Sequence, residues 1–246
     1  VVDPVNGRDL SVVGMAVIQS GDNVSQLLTR ADNALNKARM EHTGAVVVEH
    51  GRAEDGLGRL AWKQLVDEAL AEDSFECSVQ AVLDFDGKPY HEELFISIRK
   101  DGVVYHAGHF LPVVEQFKQG ERLDLHIIGR ALALLGERPQ LKLAVNLTRQ
   151  SCHQESFWTA LTEMLEQYKE AGRRLALELP ESAFASGKDI LVSPLASLKV
   201  AWGIDHFGRH FDLLTQLGEL RPHYVKLDHG YTSQVAEPGF DDAFLA

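Results

Sequence analysis

Asn146 closes the apolar run Leu-Lys-Leu-Ala-Val-Asn, Glu178 closes Leu-Ala-Leu-Glu, and Asp205 closes Trp-Gly-Ile-Asp. Lys226 and Asp228 finish Tyr-Val-Lys-Leu-Asp, Glu93 opens Glu-Leu-Phe-Ile-Ser-Ile, and Gln80 stands among Cys77, Val79 and Val82. A polar side chain at the end of an apolar strand is costly unless it is paired or meets a ligand. One such residue says little, but an ordered series points to one shared site. Glu, Asn, Glu and Asp together offer the hard oxygen ligands that suit Mg²⁺, Mn²⁺ or Ca²⁺. A lysine beside them can hold a phosphate or orient a water. The chemistry such a group would perform is metal-assisted attack on a phosphodiester.

The elements that must position these residues alternate. Strands are predicted at 75–83, 93–98, 141–147, 174–179, 199–204 and 224–227, with amphipathic helices between them at 123–135 and 157–171. Pro180, Pro194 and Pro222 fall at element boundaries. This alternation predicts a parallel sheet with helices outside, as in a βα barrel, where chemistry collects at the C-terminal strand ends. Six strands are visible and a closed barrel of this kind has eight, so the last two units are expected to be absent.

Upstream, residues 11–17 read as a buried strand and residues 22–41 as a helix capped by Asp22 or Asn23. Its apolar face is Val24, Leu27, Leu28, Ala31, Ala34, Leu35 and Ala38, and Ala45–Val48 forms a short closing strand. The stretch 50–58 is polar and glycine-rich, the composition of a linker. The expected division is residues 1–50, the last third of one domain; 51–58, a linker; and 59–246, the barrel. The chain opens on Val1-Val2 without a start Met and stops within what reads as a starting helix, as expected for a piece of a larger protein.

Composition narrows the function. With 24 Lys and Arg against 36 Asp and Glu, the formal net charge of −12 argues against a general binder of nucleic acid polymers. Cys77 and Cys152 lie far apart, which argues against a disulfide framework or a structural zinc site and fits a reduced, cytoplasmic setting. No apolar run reaches the roughly 18–20 residues of a membrane span.

As a set, the motifs Phe75–Gln80, Glu93-Leu94-Phe95, Phe110–Glu115, Ala144–Thr148, Leu177–Ser182, Gly203–Gly208 and Tyr224–Asp228 resemble the EAL domain of cyclic di-GMP phosphodiesterases. Residues 13–16 and 27–38 resemble the closing third of a GGDEF, diguanylate-cyclase-type domain. The resemblance implies an α/β fold, an EAL-type, TIM-like βα barrel incomplete at its C-terminus, preceded by a partial GGDEF segment.

Two departures from the family pattern bear on function. Active members carry an arginine two residues beyond the Glu-Ala-Leu triplet, where it grips a ligand phosphate; this chain has Ser97, which cannot make the fork contact. Arg99 is displaced by about 6–7 Å along the strand. The family's Asp-Asp-Phe-Gly reads Asp205-His206-Phe207-Gly208, replacing an anionic oxygen ligand of the metal pair with an imidazole. The family's last metal-ligand Glu and a late Gln belong to segments beyond this chain.

The expectation is therefore a catalytically degenerate domain that binds cyclic di-GMP without efficient hydrolysis, resembling receptors of the LapD type. The expected contacts are Gln80, Glu93, Leu94, Asn146, Glu178, Asp205, Phe207 and Lys226. Glu93, Asn146, Glu178 and Asp205 are then vestigial metal positions, no cofactor is required, and Mg²⁺ or Mn²⁺ enters only if the domain is instead an active phosphodiesterase. A third alternative is a nucleotide-independent interaction module. Expected partners are cyclic di-GMP, other domains of the same receptor and a second copy in a homodimer. The expected setting is a cytoplasmic domain of an inner-membrane protein, with an output such as biofilm adhesion.

Other residues read as structural. Trp62, Trp158 and Trp202 belong to cores, His106 and His109 to a loop, and Arg173-Arg174 to a solvated helix end. Ser151 and Cys152 have no His–acid pair placed to activate them.

Overall fold

The computed structural model describes residues 13–18, seven helical positions between 24 and 38, and residues 46–49, 57–84, 86–208 and 211–228. The predicted cap at Asp22 or Asn23, Leu28, and residues 50–56 of the expected linker lie outside the described residues. Two compact units divide the chain: Val1–Phe75 with Ser97–Phe117, and Glu76–Ile96 with Lys118–Ala246.

In the first unit, β1 (Val13–Ala16) pairs in parallel with β2 (Val46–Glu49). The expectation of a buried first strand is corrected: Val13 and Met15 are exposed. The alternation of a strand explains this. Its Gly14 face lies so close to the helix at Ala31 and Leu35 that a Cβ would come within 2.6 Å of their backbone, while Val13 and Met15 point the other way. That helix buries Arg30, Ala34 and Ala38, but Val24, expected on its apolar face, is exposed. Arg30 turns its guanidinium to the Val17 carbonyl at 2.9 Å.

The same unit contains α1 (Arg59–Glu72), the outer end of β4 (Pro89–Lys100), β5 (Val103–His106) and α2 (Ala107–Gln116). Trp62 is buried and meets Tyr105 edge-on at 5.0 Å, as expected of a core tryptophan. β5 was not expected: its four residues are too few to show a period, and Asp101 and Gly102, both at positive φ, make the turn that folds it back on β4. His106 ends this strand and His109 lies in α2, bonded through Nδ1 to the His106 carbonyl at 3.1 Å, so neither is a loop residue.

The second unit is built on six strands that neighbour one another in chain order, with β5 off this path. Its strands are β3 (Glu76–Leu83), β4, β6 (Leu143–Asn146), β7 (Leu175–Pro180), β8 (Ala201–Phe207) and β9 (Tyr224–Leu227). From β4 onward neighbours are parallel, each step crossing through helices. These are α3 (Gly120–Glu137), α4 (Arg149–Cys152), α5 (Glu155–Gln167), α6 (Lys169–Gly172), α7 (Glu181–Ser197) and α8 (Leu217–Leu220). This is an α/β fold in βα-barrel order, as the alternation predicts. The exception is the first pair: a turn at Asp84–Lys88, closed by Asp84 N–H to the Lys88 carbonyl at 2.8 Å, is too short for a parallel crossover and makes β3–β4 a hairpin.

Register explains the strand composition. One face of the parallel strands carries Leu143, Val145, Leu175, Leu177, Leu179, Trp202 and Ile204, all buried. The other carries small residues and then a polar one: Ala144 before Asn146, Ala176 before Glu178, Gly203 before Asp205.

Arg174 corrects the expectation of a solvated helix end. Its guanidinium donates to the carbonyls of Leu135 at 2.5 Å, Arg138 at 2.8 Å and Leu141 at 3.1 Å, closing the C-terminus of α3 just before β7 begins. Arg174→Ala is expected to lower stability by about 1–2 kcal/mol in urea titration, with Arg174→Lys recovering little, because an ammonium cannot span three carbonyls. Equal stability of lysine variant and wild type would contradict this.

Candidate functional site

Parallel pairing lines the candidates up across the sheet. Asn146 is opposite Glu178, Glu178 opposite Gly203, and Gly203 opposite Tyr224; one step earlier, Glu93 is opposite Ala144. Residues in one row share a face, and residues two apart along a strand share it too. Glu93, Asn146, Glu178, Asp205, Tyr224 and Lys226 therefore stand on one surface, toward the C-terminal ends of their strands.

Hydrogen bonds join five of these six. Lys226 Nζ donates to Glu93 Oε2 and to Glu178 Oε2, the latter at 2.5 Å. Asn146 Nδ2 donates to Glu93 Oε1 at 2.7 Å, and the Tyr224 hydroxyl donates to Glu178 Oε1 at 2.9 Å. Each oxygen of both carboxylates thus accepts from a protein donor. The Glu178 side chain is 0% exposed, so the bonds it accepts form away from bulk water, whereas Lys226 and Glu93 keep 23% and 13% exposure. His91 Nε2, also buried, lies 3.6 Å from Glu178 Oε1, beyond hydrogen-bond length.

The charges of this cluster reinforce one another. Burial alone would raise the Glu178 pKa, but the adjacent His91 ring and the donors Lys226 and Tyr224 outweigh it and hold the carboxyl below its ordinary range. Burial likewise works against the Lys226 ammonium, and its bonds to Glu178 and Glu93 overcome that and raise its pKa. Burial and the Glu178 charge push the Tyr224 phenol far upward, keeping it a donor.

Tyr224 was missed as a site residue. Its ring crosses over Gly203 to reach Glu178 two strands away; a Cβ at Gly203 would stand 2.4–2.7 Å from three ring atoms. The signal in sequence was the glycine two residues before Asp205, in a strand where glycine is otherwise a weakness.

β8 does not stop at Asp205, as expected, but runs on through His206 and Phe207. Its register shifts against β9 between Ile204 and Phe207, and His206 takes the left-handed conformation, φ 55°. The imidazole is exposed and lies between two acids, Nε2 3.4 Å from Asp205 and Nδ1 3.5 Å from Asp228. His206 is therefore a strand residue facing carboxylates. The loop beyond is tied down by Glu181, which is buried and accepts from Gly208 N–H at 2.9 Å.

The other candidates are placed differently. Leu94, next to Glu93, falls on the opposite face of β4 and is buried. Phe207 is buried opposite Leu227. Gln80 is exposed midway along β3, and it is not in the hydrogen-bonded cluster of the described residues. Ser97 pairs with His106 in the β4–β5 hairpin. Trp202 stacks on Phe184 at 6.1 Å, the packing role expected of it. Behind β6, buried Asp124 accepts from Thr148 N–H at 2.7 Å and its hydroxyl at 2.8 Å, fixing the turn that follows Asn146. Cys152 is buried in α4, where burial and the Asp124 charge push its thiol far upward and disfavour the thiolate.

Comparison with known proteins agrees with this architecture. The solved structure of Vibrio cholerae LapD S helix-GGDEF-EAL bound to c-di-GMP superposes with a TM-score of 0.81 and 30% identity, covering 90% of this chain and 56% of that one. Among curated proteins, the RNase E specificity factor CsrD of Escherichia coli K12 is 24% identical over 71% of this chain and 27% of its own length. Cyclic di-GMP phosphodiesterase PdeF of the same organism is 23% identical over 84% of this chain and 28% of its own. The chain thus spans about a quarter of the length of the curated relatives it matches. The EAL domain model matches residues 63–245, the stretch that carries every element of the site, and the chain belongs to the EAL domain family.

Proposed function

We propose that this chain is the nucleotide-binding part of a cyclic di-GMP receptor: an EAL domain that holds the messenger without cutting it efficiently and passes its occupancy to an output. The observation that carries this reading is His206 in place of the family's second acid: its imidazole lies between two carboxylates, 3.4 Å from Asp205 and 3.5 Å from Asp228. A hard divalent cation takes open oxygen ligands. Glu93, Asn146, Glu178 and Asp205 still offer oxygens, but the imidazole at position 206 stands where the family adds a second acid beside Asp205. Ser97 in place of the phosphate-gripping arginine supports the same conclusion. The likeness to LapD, solved with c-di-GMP bound, supports binding.

In this proposal Gln80, Glu93, Asn146, Glu178, Asp205 and Lys226 contribute contacts. Leu94 and Phe207, both buried, contribute through their backbone or by shaping the pocket. Residues 1–50 are the end of a GGDEF-type domain, and the full protein is a homodimer attached to the inner membrane. Among the described residues no helix is long and apolar enough to cross a membrane, so attachment would come from other segments.

A second reading, an active phosphodiesterase in which His206 is tolerated, is favoured by the likeness to PdeF. Calorimetric titration with cyclic di-GMP decides between them. Binding at micromolar concentration or tighter, with no linear dinucleotide formed in Mg²⁺ or Mn²⁺, is the expected result; rapid turnover would establish the enzyme, and absence of binding an interaction module.

A further inference from the structure

We infer that His153 is a positioning residue for the nucleotide pocket: its ring pins the first segment of α7, and through Glu181 it fixes the loop that follows β8. This rests on the receptor reading for the ligand, but not for the pin itself. His153 stands on the connector between α4 and α5, and that connector is tied down along its length. The His153 N–H donates to the Gln150 carbonyl at 3.1 Å, and the Gln154 N–H to the Ser151 carbonyl at 3.1 Å. The Trp158 indole donates to the Cys152 carbonyl at 2.9 Å, and the Thr148 hydroxyl caps the start of α4. The imidazole therefore projects from a fixed base.

It meets α7 where that helix breaks. Gly187 has non-helical dihedrals, φ −173° and ψ 38°, so α7 is two helical segments joined across a kink. A helix that stops leaves the carbonyls of its last turn without the N–H groups of a next one. Ala183 lies in that last turn, and His153 Nε2 donates to its carbonyl at 2.8 Å. Gly187 admits the ring this closely: the three atoms nearest to a Cβ placed there all belong to His153, at 2.8–3.6 Å. The segment so held begins at Glu181, whose buried carboxylate accepts from Gly208 N–H at 2.9 Å. It also carries Phe184, stacked on Trp202 of β8. A segment pinned at Ala183 keeps Glu181 where Gly208 meets it. The connection that follows Asn146 and the loop that follows Asp205, both at the C-terminal strand ends, are thereby joined through α7.

The test is hydrogen exchange at the Gly208 amide, followed by nuclear magnetic resonance in the chain without nucleotide. In His153→Leu that amide is expected to exchange about fivefold faster, the change that loss of one net hydrogen bond produces. His153→Gln, which keeps an N–H donor at similar reach, should restore most of the protection. Arg174→Ala, which weakens the fold away from the pin, should leave Gly208 as in the wild type. Unchanged exchange at Gly208 in His153→Leu would overturn the inference, and so would equal acceleration by Arg174→Ala, the sign of a merely structural role. Should His153→Leu fail to fold, Gly187→Ala decides: it keeps His153 but crowds its ring, and must also speed exchange at Gly208. Cyclic di-GMP titration of the same variants is read separately. Weaker binding by His153→Leu, recovered in His153→Gln, is expected, and binding as tight as the wild type's would also overturn the inference. A wild type that binds no nucleotide, with the Gly208 response intact, removes the receptor reading and leaves the pin. An unresponsive Gly208 in a chain that binds nucleotide removes only the role of His153.

Discussion

Replacing Lys226 by methionine is expected to lower folding stability by about 3–5 kcal/mol at neutral pH, the cost of leaving a buried carboxylate without its counter-charge. The stem of the side chain is conserved in length, so the loss comes from charge and hydrogen bonding rather than from a cavity. Glu178 suffers most, because its side chain is 0% exposed and water cannot replace the ammonium. The dependence on pH distinguishes this cause from a packing defect. In the wild type the Glu178 pKa is depressed, so its contribution is present above the ordinary value of 4.5 and is lost as pH falls through the folded value. The Lys226 pKa is raised, so its contribution is present below 10.5 and is lost as pH rises through the folded value. Without Lys226, burial governs Glu178 and raises its pKa, leaving His91, Tyr224 and Glu93 as the polar groups around it. The difference between variant and wild type should then shrink as pH is lowered from 7 toward 5, because the variant's carboxyl takes up a proton more readily. Urea titrations at the two pH values measure this; a difference that stays constant would locate the damage elsewhere.

Gly203→Ala should destabilise by about 2–3 kcal/mol, toward the upper end for overpacking, although it adds a single methyl group. The reason is that the Tyr224 ring cannot yield without giving up its bond to Glu178, and the strand beneath it is held by ladders on both sides. The effect belongs to the pair rather than to glycine alone. In a Tyr224→Ala background the same substitution should cost less than about 0.5 kcal/mol, giving a coupling near 2 kcal/mol in a double-mutant cycle. Additive effects would show that the ring and the glycine are independent. Because the ring supports Glu178, Gly203→Ala should also weaken cyclic di-GMP binding, by about tenfold, in the calorimetric titration proposed above.

The linear chain already displayed much of this fold. Alternating strands and helices predicted a βα-barrel order, and the strands carrying Asn146, Glu178, Asp205 and Lys226 lie within a few residues of where they were expected. The failures have definite causes. β5 is four residues long and rests on a two-residue turn, too little for a periodic signal. The alternation predicts a parallel sheet throughout, and the opening hairpin departs from it because the apolar content of a strand does not say which way its neighbour runs. In sequence Asp205 reads as a strand end because the polar His206 follows it, whereas the β8–β9 ladder carries the strand two residues further with His206 at positive φ.

The site divides in the same way. Residue type and order determined which side chains are polar at the strand ends, and so determined the family to which the chain belongs. They also determined the two departures, Ser97 and His206. What only the tertiary structure decided is the bonding among them: that Lys226 bridges Glu93 and Glu178, that Tyr224 spans Gly203, and that Arg174 closes α3. Glu93 and Lys226 are 133 residues apart, and no local pattern reports a hydrogen bond across that distance. Sheet register alone brings them together, because parallel pairing sets which residue of each strand shares a row and a face.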